Sequence, residues 1–239
     1  SGIVSVLQTN APAYNWTVPS FNRPDKRNLV IYEMLLRDFV ETHAWTTLRD
    51  TLNYLQTLGV NAIQLMPVNE FDGNESWGYN PNFYFAPDKY YGTKTKLKEF
   101  IDKCHLNGIA VILDVVYNQC DNDAPQAKLY WDAANNRPAA NNPWLNVTAP
   151  HPYSVFNDFN HTSTATQYLV KRSLNFWAQE YKVDGFRFDL AKGFTQTVTN
   201  TNTVENYDAS RVANLKRYYD TVIPNILSQY MILEFSGTT

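Results

Sequence analysis

Ile109-Ala-Val-Ile-Leu-Asp-Val-Val116 decides how this chain folds. The run is apolar from end to end except for Asp114. A strand with one wet face would alternate polar and apolar residues. An unbroken apolar run reads as a strand buried on both faces, as in a parallel sheet covered by helices. The residues before it agree. Leu97, Phe100, Ile101 and Cys104 recur at helical spacing, and Gly108 closes that helix just ahead of the strand.

The same unit repeats in both directions. Upstream, residues 29–36 and 60–66 are predicted strands, the second stopped by Pro67. Leu48, Leu52, Leu55 and Leu58 predict a helix between them, with Gly59 at its end. Downstream, Val170, Leu174, Trp177 and Tyr181 predict a third helix, and residues 183–190 a fourth strand. Val212, Leu215, Tyr219 and Val222 predict a fourth helix with Asp208 as its N-cap. Residues 230–234 begin a fifth strand. This alternation predicts an α/β fold, a parallel sheet with its helices outside. An open doubly wound sheet and a (β/α)8 barrel both fit. Either one sets its active site at the C-terminal ends of the strands. No glycine-rich phosphate loop follows a strand, which argues against nucleotide binding. Residues 1–28, with Pro12, Pro19 and Pro24, read as a linker or surface strap, and 29–239 as one domain. Long loops at 70–92 and 117–162 separate the elements.

Composition narrows the function classes. The 239 residues are 44% hydrophobic, enough for one large core. A net charge of -3 offers no basic face for nucleic acid or an anionic membrane. No apolar run reaches the roughly 18 residues of a membrane span, and the first residues lack the basic start of a signal peptide. Cys104 and Cys120 have no metal-ligand spacing and are expected as small buried residues without a disulfide. The 16 Tyr and 6 Trp are flat rings of the kind that stack on a sugar's C–H face.

The candidate chemistry lies at strand ends. Asp114 inside an apolar strand is costly to bury without a partner. Arg187 and Asp189, two residues apart on a strand, point to one face. Glu234 ends the fifth strand. Spacing alone leaves two readings open. One is a structural Asp114–Arg187 salt bridge with two strand-end acids. The other is the acid pair of a retaining glycosidase, with carboxyls roughly 5–5.5 Å apart.

Several segments together, over residues 29–235, resemble the alpha-amylase family, glycoside hydrolase family 13. They are Asp114-Val-Val-Tyr-Asn118, Gly185-Phe-Arg-Phe-Asp-Leu-Ala-Lys192, Ile232-Leu-Glu234 and Asn157-Asp-Phe-Asn160. Trp77-Gly-Tyr-Asn-Pro81 with Tyr90-Tyr-Gly92 is similar to the pullulanase and branching-enzyme side of that family. The resemblance implies a (β/α)8 TIM barrel of which about the first five units are present. It implies a retaining hydrolase of starch, glycogen or pullulan-type α-glucan that works through a covalent glycosyl-Asp intermediate. A branching or transglycosylating enzyme and an inactive glucan-binding fragment are the alternatives. By resemblance Asp189 is the nucleophile, Glu234 the acid and base, and Arg187 the group that keeps Asp189 charged. Tyr79 stacks under the sugar at the cleavage subsite, Trp77 is a second platform or a core anchor, and Lys192 reaches the leaving-side sugar. Asp114 and Asn118 support the site. No cofactor is required for the chemistry, although Asn118 and Asp158 are where a structural calcium ion would sit. The resemblance also implies a bacterial-type protein, exported or cytoplasmic.

Two positions depart from the family pattern. Gln119 stands where the family has a His that contacts the sugar; an amide can bond a hydroxyl but cannot carry a proton. The family's third acid follows its seventh strand, and only five strands are predicted here. A full barrel takes about 250 residues, so the chain reads as truncated after strand five, or as a partial barrel whose open edge a second copy covers.

Overall fold

The computed structural model describes residues 7, 9–10, 12–225 and 229–235. Five parallel strands form its main sheet: β1 (Ile31–Met34), β2 (Ala62–Leu65), β3 (Ala110–Val115), β4 (Gly185–Phe188) and β5 (Tyr230–Leu233). Their order in the sheet is their order in the chain, and every neighbouring pair is parallel. β3 is buried at all of its residues, as its unbroken apolar run predicts.

Side chains alternate between two different surfaces. Ile63, Leu65, Val111, Leu113, Val115, Phe186 and Phe188 face the helices and join the large core. The opposite face is crowded, with Ala62, Ala110, Ile112 and Tyr230 in a small separate cluster. Gly185 belongs to that face. A β-carbon there would lie 2.6 Å from the Tyr230 β-carbon, so only glycine lets these strands come together. Toward the C-terminal ends this inner face turns polar, with Gln64, Asp114 and Arg187.

Five helices cover the outer face: α1 (Trp45–Asp50), α2 (Leu52–Thr57), α3 (Lys94–Leu106), α4 (Thr164–Glu180) and α5 (Ala209–Asn225). The single helix expected through Leu48–Leu58 is broken. Thr51 leaves helical geometry, and its hydroxyl donates to the Leu48 carbonyl. Leu48, Leu52 and Leu55 keep the buried stripe, but Leu58 is exposed. α3 and α4 follow prediction, with Thr93 and Ser163 as side-chain caps. In α5 Asp208 caps as expected, accepting from the Arg211 N–H at 2.7 Å. Its buried face is a different one. Leu215 and Tyr218 point inward, while Val212 and Tyr219 are exposed. Arg211 and Asn214 are buried because they bond loop carbonyls, a demand that hydrophobic periodicity does not register. The Val222 side chain lies outside the described residues.

The long loops are partly ordered by short strand pairs. Asn69–Phe71 pairs with Pro81–Pro87, and Gln119–Cys120 with Asn157–Asp158. Cys104 and Cys120 are both buried free thiols. No helix among the described residues is long and apolar enough to cross a membrane. β1 and β5 are the two edges of the sheet. A groove of about 1000 Å³ runs along them, lined by Arg23, Leu29, Ile31, Tyr230 and Ile232 among others.

The segment before β1 lies against the N-terminal end of the sheet. Asp102 accepts from the Thr17 and Val18 N–H groups at 2.8 and 2.9 Å. The Phe21 ring stacks on His105 with centroids 4.3 Å apart. Arg23 meets Asp184 at 2.8 Å. Asp184 also accepts from the Val111 N–H at 2.8 Å and faces the His105 ring nitrogen at 2.8 Å. It is a buried carboxylate whose two oxygens both serve. Asp184→Ala is expected to destabilise the protein by about 3–5 kcal/mol, because it strands the groups that Asp184 satisfies. Urea denaturation checks this, and an unchanged midpoint would refute it.

Candidate active site

The register of three strands builds the site. Asp114 on β3 is the neighbour of Arg187 on β4, and Arg187 is the neighbour of Ile232 on β5. Residues two further on, Asp189 and Glu234, therefore leave the sheet on the same inner face. Arg187 joins them. One of its terminal nitrogens donates to Asp114 Oδ2 at 2.7 Å and to Asp189 Oδ1 at 3.0 Å. The other lies 3.3 Å from Glu234 Oε1. The Tyr79 hydroxyl donates to the same Asp114 oxygen at 3.0 Å.

Three carboxyls around one guanidinium cannot all ionise cheaply. Burial pushes the Asp114 pKa up to about 6, against the pull of Arg187 and Tyr79. Burial, then the charges of Asp114 and Glu234, push Asp189 up to about 7. Arg187 acts in the expected direction, lowering the Asp189 pKa against these larger effects. One cation opposes desolvation and two neighbouring acids. Glu234 thus acts on Asp189 as a neighbouring acid that favours its protonated form. Burial works against the Arg187 charge too, yet the surrounding acids raise its pKa above the ordinary range. Burial and Asp114 push the Tyr79 hydroxyl up, so it remains a donor.

The turn after β4 completes the cradle. Leu190 adopts the left-handed conformation, with φ 48° and ψ 51°. This arrangement costs a non-glycine residue about 1–2 kcal/mol. It aims the Leu190 N–H at Glu234 Oε2, 2.8 Å away. The Ala191 N–H then bonds the Glu234 carbonyl at 3.1 Å.

The remaining residues singled out from the sequence divide into two groups. Asn118 and Gln119 are buried, and their amide nitrogens bond within the protein while Asn118 Oδ1 has no hydrogen-bond partner. Asn118 donates to Gln119 Oε1 at 2.8 Å, and Gln119 donates to the Tyr79 carbonyl at 3.0 Å. The Gln119 amide thus holds the loop of Tyr79, where a free hydroxyl-binding group was expected. Asn118 is packed so closely that a β-carbon on Gly193 would sit 1.7 Å from its oxygen. Trp77 is 60% exposed and anchors no core. Lys192 is only 6% exposed, lies in the turn Ala191–Phe194 and pairs with Glu205. Glu205 and its other partner Tyr153 went unnoticed in the sequence. Both sit in irregular loops, where no periodicity marks them.

Asn118 Oδ1 and Asp158 Oδ1 are both buried without a hydrogen-bond partner, two oxygens of the six to eight that a calcium ion takes. Asn146 donates to Asp158 Oδ2 at 2.7 Å, and the His151 ring nitrogen stands 3.1 Å from Oδ1. Among the described residues no group of three or more His, Cys, Asp or Glu side chains is arranged to hold a metal.

Residues 20–155, more than half of the 239, match the model of the alpha-amylase catalytic domain. The chain belongs to this family. Its matched segment includes Asp114, Asn118 and the Tyr79 loop, and stops before Arg187. Likeness to whole relatives extends further. The chain is 29% identical over 189 residues to the malto-oligosyltrehalose trehalohydrolase of Saccharolobus solfataricus, covering 79% of this chain and 32% of that one. It is 32% identical over 214 residues to the pullulanase of Bacillus subtilis strain 168, covering 73% and 29%. The crystal structure of pullulanase type I from the same strain, complexed with maltose, superposes with a TM-score of 0.67 at 28% identity, over 93% of this chain and 33% of that one. The five-stranded sheet is accordingly part of a (β/α) barrel, and the doubly wound alternative falls away. The chain spans about a third of the length of these relatives.

The acid pair makes stability depend on pH. The folded protein keeps the Asp189 proton up to about pH 7, whereas an unfolded Asp releases it near about 4. The folded state binds more protons in between, so this contribution to stability fades as pH rises through that window. Asp189→Asn preserves the shape and removes the titration. Its urea midpoint is expected to vary less between about pH 4 and 7 and to exceed that of the wild type near pH 8. A variant that follows the wild-type pH curve would show that Asp189 does not hold the proton.

Proposed function

We propose that this chain supplies the nucleophile and the acid/base of a retaining α-glucan glycosidase. The observation that carries the reading is Arg187 bonded to Asp114 and Asp189 and within reach of Glu234. A retaining pair works with its carboxyls roughly 5–5.5 Å apart, and Arg187 holds both of these acids at one strand edge. A sugar entering the cleft separates them. Asp189 is then left ionised beside Arg187, and Glu234 keeps the proton.

In the first step an Asp189 oxygen bonds the anomeric carbon, the glycosidic C–O bond breaks, and Glu234 gives its proton to the leaving oxygen. In the second step Glu234 takes a proton from water, water oxygen bonds the same carbon, and the Asp189 ester bond breaks. Tyr79, held by Asp114 and through Gln119, stacks under the reacting sugar. Exposed Trp77 offers a further ring at the mouth, and Lys192 lies toward the leaving group. The family's third acid, after a seventh strand, is not among the five strands described. On this reading the chain binds malto-oligosaccharide by itself, and hydrolysis requires that acid as well.

The test is release of reducing ends from soluble starch and pullulan by a form of the protein that carries the third acid. Asp189→Asn is expected to lower the rate by at least about 10³-fold. A variant that keeps its rate would remove Asp189 as nucleophile. Pullulan products report whether α-1,4 or α-1,6 bonds are cut.

A further inference from the structure

Glu205 stands outside the acid cluster and binds two side chains from other segments. It lies in the loop between the turn Ala191–Phe194 and α5. Its Oε1 accepts from the Tyr153 hydroxyl at 2.5 Å, and its Oε2 pairs with the Lys192 ammonium. The Lys192 nitrogen lies 6.0 Å over the Tyr153 ring, in cation–π range. Three segments, the loop after β3, the turn after β4 and the loop before α5, thus converge on one carboxylate.

The loop that presents Glu205 is held on both sides. Arg211, buried in α5, donates to the Val204 carbonyl at 3.0 Å and to the Asn206 carbonyl at 2.8 Å. The Thr199 N–H bonds the Pro150 carbonyl at 2.8 Å, tying this loop to the one that carries Tyr153. Tyr153 has a second anchor, because Asn118 donates to its carbonyl at 3.3 Å. The same Asn118 bonds Gln119, which bonds the Tyr79 carbonyl. One pair of amides therefore sets the loops of both tyrosines, Tyr79 and Tyr153.

We infer that Glu205 is a positioning residue that holds the Lys192 ammonium and the Tyr153 ring as one wall of the leaving-side subsite, where a malto-oligosaccharide stacks on Tyr153 and bonds Lys192. This rests on the α-glucan reading of the acid cluster. The physical reason is the cost of an ammonium as buried as Lys192 without an anion beside it. Glu205 provides the anion and, with its second oxygen, fixes how the ring is turned. Neither oxygen needs to touch sugar.

Calorimetric titration of the protein with maltotetraose tests this, on the wild type and on Glu205→Ala, Glu205→Gln, Tyr153→Phe and the Glu205→Ala/Tyr153→Phe double variant. Glu205→Ala is expected to weaken binding roughly tenfold, the loss of a hydrogen bond to a charged group. Glu205→Gln, which still offers an oxygen to Lys192, recovers part of that loss. Tyr153→Phe weakens binding in the same direction, and the double variant loses less than the sum of the two single losses. A role confined to folding would lower the unfolding midpoint and leave affinity unchanged. If the wild type and both single variants, Glu205→Ala and Tyr153→Phe, bind maltotetraose equally, the positioning role is overturned and the glucan reading stands. If the wild type binds no maltotetraose, the glucan reading falls and takes the positioning role with it.

Discussion

Everything at the C-terminal edge of the sheet depends on one guanidinium shared among carboxyls from three strands. Arg187 reaches Asp114 on the strand before it, Asp189 at the end of its own and Glu234 at the end of the next. The contact needs the register to be right. A slip of one residue on β4 would turn Arg187 and Asp189 toward the helices and bring Phe186 and Phe188 into the cleft. The large rings buried against the helices therefore protect the chemistry on the opposite face. Packing on one side of the sheet sets polar geometry on the other.

Burial and the charges of Asp114 and Glu234 give Asp189 a higher affinity for a proton than a solvated carboxyl has. On the glycosidase reading proposed above, a sugar ring entering between the acids would weaken both causes. On that reading, a raised proton affinity of Asp189 in the free protein is compatible with its proposed role as nucleophile. Arg187 remains beside it throughout, as the opposing charge that makes the ionised form accessible.

Much of this was legible in the sequence because it is periodic. The run from Ile109 to Val116 announced a strand buried on two faces. The spacing of two between Arg187 and Asp189 put both on one of them. Leu97 to Cys104 and Val170 to Tyr181 marked helices whose buried faces matched. Reading failed where polar bonds override periodicity. Arg211 and Asn214 turn α5 so that Val212 and Tyr219 face outward. Thr51 splits what Leu48 to Leu58 suggested was one helix. The buried amide of Gln119 serves the Tyr79 backbone, an assignment that depends on a contact 40 residues away. Tyr153 and Glu205, separated by 52 residues in unpatterned loops, left no trace in spacing or composition.

Strand order equal to chain order has a consequence for how the molecule assembles. Each new strand finds the one it pairs with already made, so no late segment has to be threaded between earlier ones. The paired strands are still far apart in sequence, as Asp114 and Arg187 are, which slows folding, but the order suits vectorial synthesis from the N-terminus. Arg187 emerges after Asp114, which can receive its charge at once, and before Glu234. The last described strand is the one that carries the acid, so the cluster stays incomplete until synthesis passes residue 234, when the rest of the sheet can already be in place.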